Sequence, residues 1–315
     1  MSIPSFGDNK IIAVVGPTAS GKTALAVELA KRLDGEVISC DSMQVYKGMD
    51  IGTAKVTVQE MQGVPHHLID IVEPTKDFSC ADYSELAKKA IEDILSRGKT
   101  PICCGGTGLY LDSVIGISGF SEAGKDDAFR EEMAKKSPDE LHAMLEKIDP
   151  ISANVTHKNN VKRVIRALEI FHVTGKTKSE WDEESKKLEP PYKCTVIGLD
   201  FRSRETLYDR INKRVDIMLK SGLAGEIKAL DCPEFRACTA SDGIGYKEYL
   251  EYVDGNVSFE EAVEQIKQAS RNYAKRQLTW FRRNKSVNWI FVDDFAEEDK
   301  FKFIVNSALN IINNN

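Results

Sequence analysis

The run Gly16-Pro17-Thr18-Ala19-Ser20-Gly21-Lys22-Thr23 constrains this chain more than any other stretch. It joins an apolar strand pattern, Ile11-Ile12-Ala13-Val14-Val15, to an amphipathic helix pattern that carries Leu25, Val27, Leu29 and Leu33. The spacing is that of the phosphate-binding P-loop, G-x-x-x-x-G-K-[ST]. Glycines at both ends let the backbone curl, so that successive N–H groups and a helix N-terminus point at one anion. Lys22 adds a mobile positive charge, and the Thr23 hydroxyl can join the oxygen shell of Mg²⁺. The candidate diphosphate ligands are therefore Gly16, Thr18, Ala19, Ser20, Gly21, Lys22 and Thr23, with Thr23 as the candidate metal ligand. A strand feeding such a loop and helix opens an α/β fold, a P-loop NTPase-like parallel sheet flanked by helices.

The first helix stops at Asp34-Gly35, and Glu36 to Cys40 reads as the next strand, ending in Asp41-Ser42-Met43-Gln44. Ligands in open α/β sheets bind outside strand carboxyl ends, which points Asp41 at the P-loop's crevice. Asp41 equally suits a helix N-cap. The pair His66-His67 lacks converging carboxylates and reads as structural. The strand Pro101 to Cys104 ends in Gly105-Gly106-Thr107-Gly108, a second anion-friendly edge. ATP-hydrolysing P-loop proteins usually place there an Asp that orders Mg²⁺, and its replacement by glycine weakens an ATPase reading. After a return strand at Thr195 to Asp200, the helix Arg204 to Lys220 sets Arg210 and Arg214 four residues apart on one face. Such a pair is either a solvated stripe or a reach toward phosphate. A last strand, Asn288 to Val292, closes the sheet ahead of an Asn-rich tail expected to fray.

Between these halves, residues 118–195 read as an all-helical insertion: Ser137-Pro138-Asp139-Glu140 is a capping box with proline at the first helical position, and Val161, Val164, Ile165, Leu168 and Phe171 recur at helical spacing. The α/β core would then comprise 1–117 and 196–315. A net charge of −6 over 315 residues argues against a general nucleic-acid coat, so any such partner must meet a local patch. One exists: no acidic residue occurs from Ile266 to Val292, while Lys267, Arg271, Lys275, Arg276, Arg282, Arg283 and Lys285 do. Val263, Ile266, Tyr273, Ala274 and Trp280 are expected to be that helix's inward residues. Seven scattered cysteines without a C-x-x-C pair read as reduced thiols. No apolar run nears the roughly 20 residues of a membrane span, and no secretory leader is visible, so a cytoplasmic monomer without membrane contact is expected.

The strings GPTASGKTALA, DSMQVYKGMDIGTAK, PHHLID, GGTGLYL, RVIRALE, GIGYKE and KRQLTWFR follow one another across nearly the whole chain. In that order they resemble the bacterial tRNA dimethylallyltransferases, also called tRNA isopentenyltransferases. The resemblance implies transfer of a dimethylallyl group from dimethylallyl diphosphate to N6 of the adenosine immediately 3′ of the anticodon, with Mg²⁺ as cofactor and the tRNA anticodon stem-loop as partner. It maps the general base onto Asp41, the diphosphate threonine onto Thr107 and the diphosphate arginine onto Arg214. It maps tRNA contacts onto Asp41-Ser42-Met43-Gln44, Lys162-Arg163-Val164-Ile165-Arg166, Asp242-Gly243-Ile244-Gly245-Tyr246-Lys247 and Lys275-Arg276-Gln277-Leu278-Thr279-Trp280-Phe281-Arg282. Lys247 stands where some relatives carry arginine, and Lys162 replaces a glutamine. The P-loop would hold a prenyl diphosphate in place of ATP, in keeping with the missing acidic strand end. Alternatives are a P-loop small-molecule kinase, which predicts ATP turnover, and a prenyltransferase acting on free adenine nucleotides, which has little use for Arg163 and Arg166. A nucleotide switch is disfavoured because Asn284-Lys285-Ser286-Val287 lacks the base-reading Asp.

Overall fold

In the computed structural model of the protein the described residues are 10–116, 124–187, 189–296 and 298–314. Six strands form one sheet: β1 (Lys10–Val15), β2 (Gly35–Ser39), β3 (His66–His67), β4 (Thr100–Gly105), β5 (Lys193–Asp200) and β6 (Val287–Phe291). Their order is β3-β2-β4-β1-β5-β6, and every pair is parallel. β1 has β4 on one side and β5 on the other, so the P-loop leaves the sheet where the winding direction changes, the position at which such sheets bind ligands. Central strands covered on both faces read as unbroken apolar runs, and Ile11 to Val15 are all at most 1% exposed. The two-residue β3, which pairs with β2 through Val37 and His66, carries too little pattern to be read as a strand from sequence.

By its contacts the chain divides into two compact units, Met1–Val114 with Tyr192–Asn315, and Ile115–Pro191. β5 begins at Lys193, so residues 193–195 belong to the sheet and not to the helical segment that the sequence pattern drew at 118–195. In the first unit the helix Lys22–Arg32 lays Leu25, Ala26, Val27, Leu29 and Ala30 on the sheet. Its N-cap, Gly21, has φ 90°, a left-handed conformation that costs glycine nothing. The Asn-rich tail does not fray: Lys300–Asn313 is a helix that buries Ile304, Val305, Ala308 and Ile312 in the same core. A satellite core of Val45, Tyr46, Met49, Leu223, Ile227, Phe235, Tyr246 and Leu250 lies beneath the segments after β2 and around Gly243.

The second unit has its own core, in which Met133, Leu141, Leu145, Val164 and Leu168 pack together. Its helices are Asp127–Met133, Pro138–Ile148, Pro150–Val155, Val161–Thr174 and Lys178–Lys186. The capping box at Ser137 forms as expected, Ser137 and Glu140 exchanging side-chain to backbone hydrogen bonds behind Pro138. Glu169, fully buried, accepts Arg130 at 2.7 and 2.8 Å and Arg166 at 2.6 Å, which holds its carboxyl at about 2 against the cost of its burial.

Candidate active site

The first unit holds a cavity of about 320 Å³ at the carboxyl ends of its strands. Thr18, Lys22 and Thr23 of the P-loop line it, with Asp41, Ser42, Met43 and Gln44 after β2 and Cys104 and Gly105 at the end of β4. Arg214 comes from the helix Arg204–Lys220, Asp242, Gly243, Ile244 and Tyr246 from the segment above it, and Tyr273, Arg276 and Gln277 from the helix Phe259–Phe281. Apolar side chains, Ile211, Val215, Met218 and Ile266, complete the wall. P-loop side chains, two carboxylates and an apolar lining therefore share one enclosure.

Its charges are not balanced within the protein. Lys22 Nζ donates to Pro17 O at 3.3 Å and Arg214 Nη2 to Thr53 O at 3.3 Å, and among the described residues neither cation has a carboxylate within 4 Å. Burial pushes the pKa of both groups down, and for each the Asp41 carboxylate acts in the opposite sense. Ser20 Oγ is buried and has no hydrogen-bond partner. An unpaired buried hydroxyl costs roughly 1–3 kcal/mol, and Ser20 itself does not line the cavity. Arg210, the other member of the helical pair, donates Nε to Ala19 O at 2.9 Å and so braces the P-loop backbone.

Asp41 Oδ1 accepts the Met43 N–H at 2.9 Å in a turn, and no helix follows it, so a cap in the helical sense is not its role. Thr107 Oγ1 accepts the Ser42 N–H at 3.1 Å and donates to Ser42 Oγ at 3.3 Å, tying the ends of β4 and β2 together beside Asp41. Burial pushes the neighbouring Tyr273 phenol up to about 12. The fit of Mg²⁺ rests on Thr23 beside these groups: among the described residues no cluster of three His, Cys, Asp or Glu could hold a metal alone. A hard cation here would need most of its oxygen ligands from a diphosphate, the usual Mg²⁺ arrangement.

Gly105 lines the cavity, whereas Gly106 and Gly108 are covered. A Cβ on Gly106 would overlap Gln277 Nε2 and one on Gly108 would overlap Trp280 Cδ1, because the helix Phe259–Phe281 packs directly onto this turn. An aspartate at 105 would collide with the Cys40 backbone, and one at 106 would have to displace the Gln277 side-chain amide. Gln277, 4% exposed, donates Nε2 to Gly106 O at 3.1 Å and accepts the Thr18 N–H on Oε1 at 2.9 Å, bridging the P-loop to β4. Trp280 Nε1 donates to Asp112 Oδ2 at 2.8 Å.

The segments mapped to tRNA thus divide. Leu278 and Phe281 are buried, as are Val164 and Ile165 in the helical unit, and offer RNA little side-chain surface, while Gln277, also buried, lines the cavity. Lys162, Arg163, Lys275, Arg276 and Thr279 are exposed, and Arg166 is held by Glu169. The basic stretch is also less positive than its sequence: Lys267 pairs with Asp216, Arg271 with Glu264, and Arg282 with Asp200. Tyr246 lines the cavity, Gly245 is the N-cap that precedes it, and Lys247 borders a separate shallow groove with Glu251 and Gln268. His67 Nε2 meets Glu36 at 2.8 Å, which accounts for that histidine without a metal.

A family model described as IPP transferase matches residues 44–284. The tRNA dimethylallyltransferase of Anoxybacillus flavithermus is 51% identical over 96% of this chain and 96% of its own length. That of Bacillus subtilis is 53% identical over 89% and 90%. Among solved structures, the tRNA isopentenylpyrophosphate transferase of Bacillus halodurans superposes with a TM-score of 0.73 at 47% identity, covering 98% of both chains. A eukaryotic dimethylallyltransferase acting on tRNA gives 0.76 at 34% identity, covering 87% of this chain and 70% of that one.

Proposed function

The chain belongs to the IPP transferase family and its activity is tRNA dimethylallyl transfer, and from that premise we propose how the cavity performs it. The donor is dimethylallyl diphosphate, and the acceptor is N6 of the adenosine immediately 3′ of the anticodon. The observation that carries this reading is the pair of half-buried cations, Lys22 and Arg214, with no carboxylate within 4 Å among the described residues, in a cavity that also holds Asp41 and an apolar wall.

An allylic diphosphate ionises readily once its leaving group is neutralised, and Lys22, Arg214 and the P-loop N–H groups supply that neutralisation where charge develops. Thr23 would hold Mg²⁺, which when bound adds positive charge to the departing diphosphate. As the C1–O bond of the donor breaks, N6 of adenine forms the new bond to C1. The amine gains positive charge and becomes strongly acidic, so an ordinary carboxylate, Asp41, takes the proton. Thr107 fixes the turn after Asp41 through Ser42. To reach Asp41 the adenine must leave its stack, which is inexpensive in an anticodon loop. Lys162 and Arg163 of the helical unit and Lys275 and Arg276 of the first are our candidates for the tRNA backbone.

Incubation of the purified protein with tRNA and dimethylallyl diphosphate, read by nucleoside mass, should give N6-dimethylallyl adenosine and diphosphate. Magnesium-dependent ATP hydrolysis with no prenylated nucleoside would establish the kinase alternative instead.

A further inference from the structure

The loop Asp50-Ile51-Gly52-Thr53-Ala54 contributes Gly52, Thr53 and Ala54 to the cavity wall, and its shape depends on a residue outside the cavity. Glu226, half-buried on the helix Leu223–Leu230, accepts the Asp50 and Ile51 N–H groups on Oε2 at 2.8 and 2.6 Å. Its Oε1 accepts the Gly52 N–H at 2.9 Å and the Tyr246 hydroxyl at 2.6 Å. Three consecutive backbone donors converging on one carboxylate form an anion nest filled by the protein's own side chain. The other side of the loop is pinned by Lys55, whose Nζ donates to Tyr46 O at 2.7 Å, to Asp50 Oδ1 at 2.6 Å and to Asp70. The next residue along, Thr53, offers the carbonyl that accepts Arg214 Nη2.

We propose that Glu226 is a positioning residue for the transfer reaction: by locking the backbone of residues 50–52 it places the Thr53 carbonyl, and through it the Arg214 guanidinium over the donor's diphosphate. The inference rests on the reading of the cavity as the transfer site. Both carboxylate oxygens are needed. A glutamine of the same shape must turn its Nε2 hydrogens either at the Asp50 and Ile51 N–H groups or at the Gly52 N–H, setting donor against donor. Arg214 then loses the acceptor that orients it while keeping its charge. The fold should persist, because Leu223, Ile227, Tyr46, Met49 and Tyr246 remain packed beneath the loop.

The test uses the full chain, tRNA and dimethylallyl diphosphate. Glu226→Gln should lower kcat by about 10- to 100-fold, the scale of a displaced catalytic group, with the KM for tRNA within about threefold. Glu226→Asp keeps two acceptor oxygens one methylene short and should retain more activity than Glu226→Gln. A space-filling role reverses that order, since glutamine matches the size, so a more active Gln variant would overturn the proposal. In an Arg214→Ala background the further cost of Glu226→Gln should shrink to less than about threefold, because residues acting as a unit are not additive. Undiminished, additive loss would likewise overturn it. The Asp variant serves in the same cycle if the Gln variant melts early. Absence of product from the wild-type chain would bring down the reading of the cavity, and the positioning role with it.

Discussion

The two ends of the sheet handle buried charge in opposite ways. At the amino end Glu36, 3% exposed, accepts Arg97 at 2.5 and 2.8 Å and meets His67 at 2.8 Å, with Lys99 at 3.4 Å. These hydrogen bonds, those from Arg97 foremost, hold its carboxyl at about 2. At the carboxyl end Lys22 and Arg214 are partly desolvated, and among the described residues each donates to a single backbone carbonyl at 3.3 Å with no carboxylate within 4 Å. A half-buried charge without a counter-charge is destabilising, though less than a fully buried one. The Glu36 cluster matches its charges within the protein and serves the fold, whereas Lys22 and Arg214 keep positive charge that an anion could meet, as the proposed diphosphate site requires.

The largest effect should come from Asp41, the cavity carboxylate that follows β2. Asp41 forms no ion pair among the described residues with the cations around it, which leaves it available to a proton. Asp41→Asn keeps the acceptor for the Met43 N–H and removes the basicity, so single-turnover transfer should fall by about 10² to 10⁴ with tRNA affinity little changed. Near-wild-type transfer would reduce Asp41 to a turn-forming residue. Lys22→Met comes next: transfer should fall by about 10² to 10³, the cost of one electrostatic contact to a developing oxyanion. Its melting temperature should hold or rise, because no carboxylate loses a partner. A fall of several degrees would erase the contrast between the two ends.

The amino end should answer the other way. Glu36→Gln should leave kcat unchanged and cost about 1–2 kcal/mol of stability, by losing charge-assisted hydrogen bonds. Because the folded-state value of about 2 lies below the unfolded one of about 4.3, the stabilisation is complete above the latter and is lost as pH falls through the former. Denaturation of both proteins at a series of pH values should show the gap full at neutrality and closing between about pH 4 and 2. A constant gap would assign the loss to packing.

How far the sequence was legible follows the range of the interactions. The P-loop, the capping box at Ser137 and the helix Arg204–Lys220 are written within a few residues each, and all three form where the pattern puts them. Glu36 with Arg97, Gln277 with Thr18, and Glu226 with residues 50–52 join positions 61, 259 and about 175 residues apart, and no local pattern encodes them. Gln277 had one signal available. Ile266, Ser270, Tyr273 and Gln277 recur at helical spacing and together face the cavity, so its polar side chain belonged to the site's stripe and not to the basic surface beside it. Gly106 and Gly108 are ambiguous in the same manner, since a glycine that admits a helix looks in sequence like one that admits an anion.

The contrast extends to the basic helix at its smallest scale. Arg282 donates Nη2 to Asp200 at 2.6 Å, and Asp200, 1% exposed, also takes Arg204 at 2.7 and 3.1 Å. Asp200 is the last residue of β5, so this pair lies at the carboxyl end, yet Arg282 is matched inside the protein as Arg97 is at the amino end. Lys275 lies over the Tyr208 ring at 5.7 Å, and among the described residues no carboxylate is within 4 Å of it. Each phosphate neutralised by such a cation releases about one counterion, so Lys275→Ala should cut the slope of log affinity for tRNA against log salt by about 0.7 to 0.9. Arg282→Ala should change the slope by less, since its charge is offset before RNA arrives, and should lower thermal stability instead by taking one of two guanidiniums from Asp200. Titrating tRNA binding across salt for both variants separates the cases. Equal slopes with equal stability would mean that pairing inside the protein does not decide which of these charges reaches RNA.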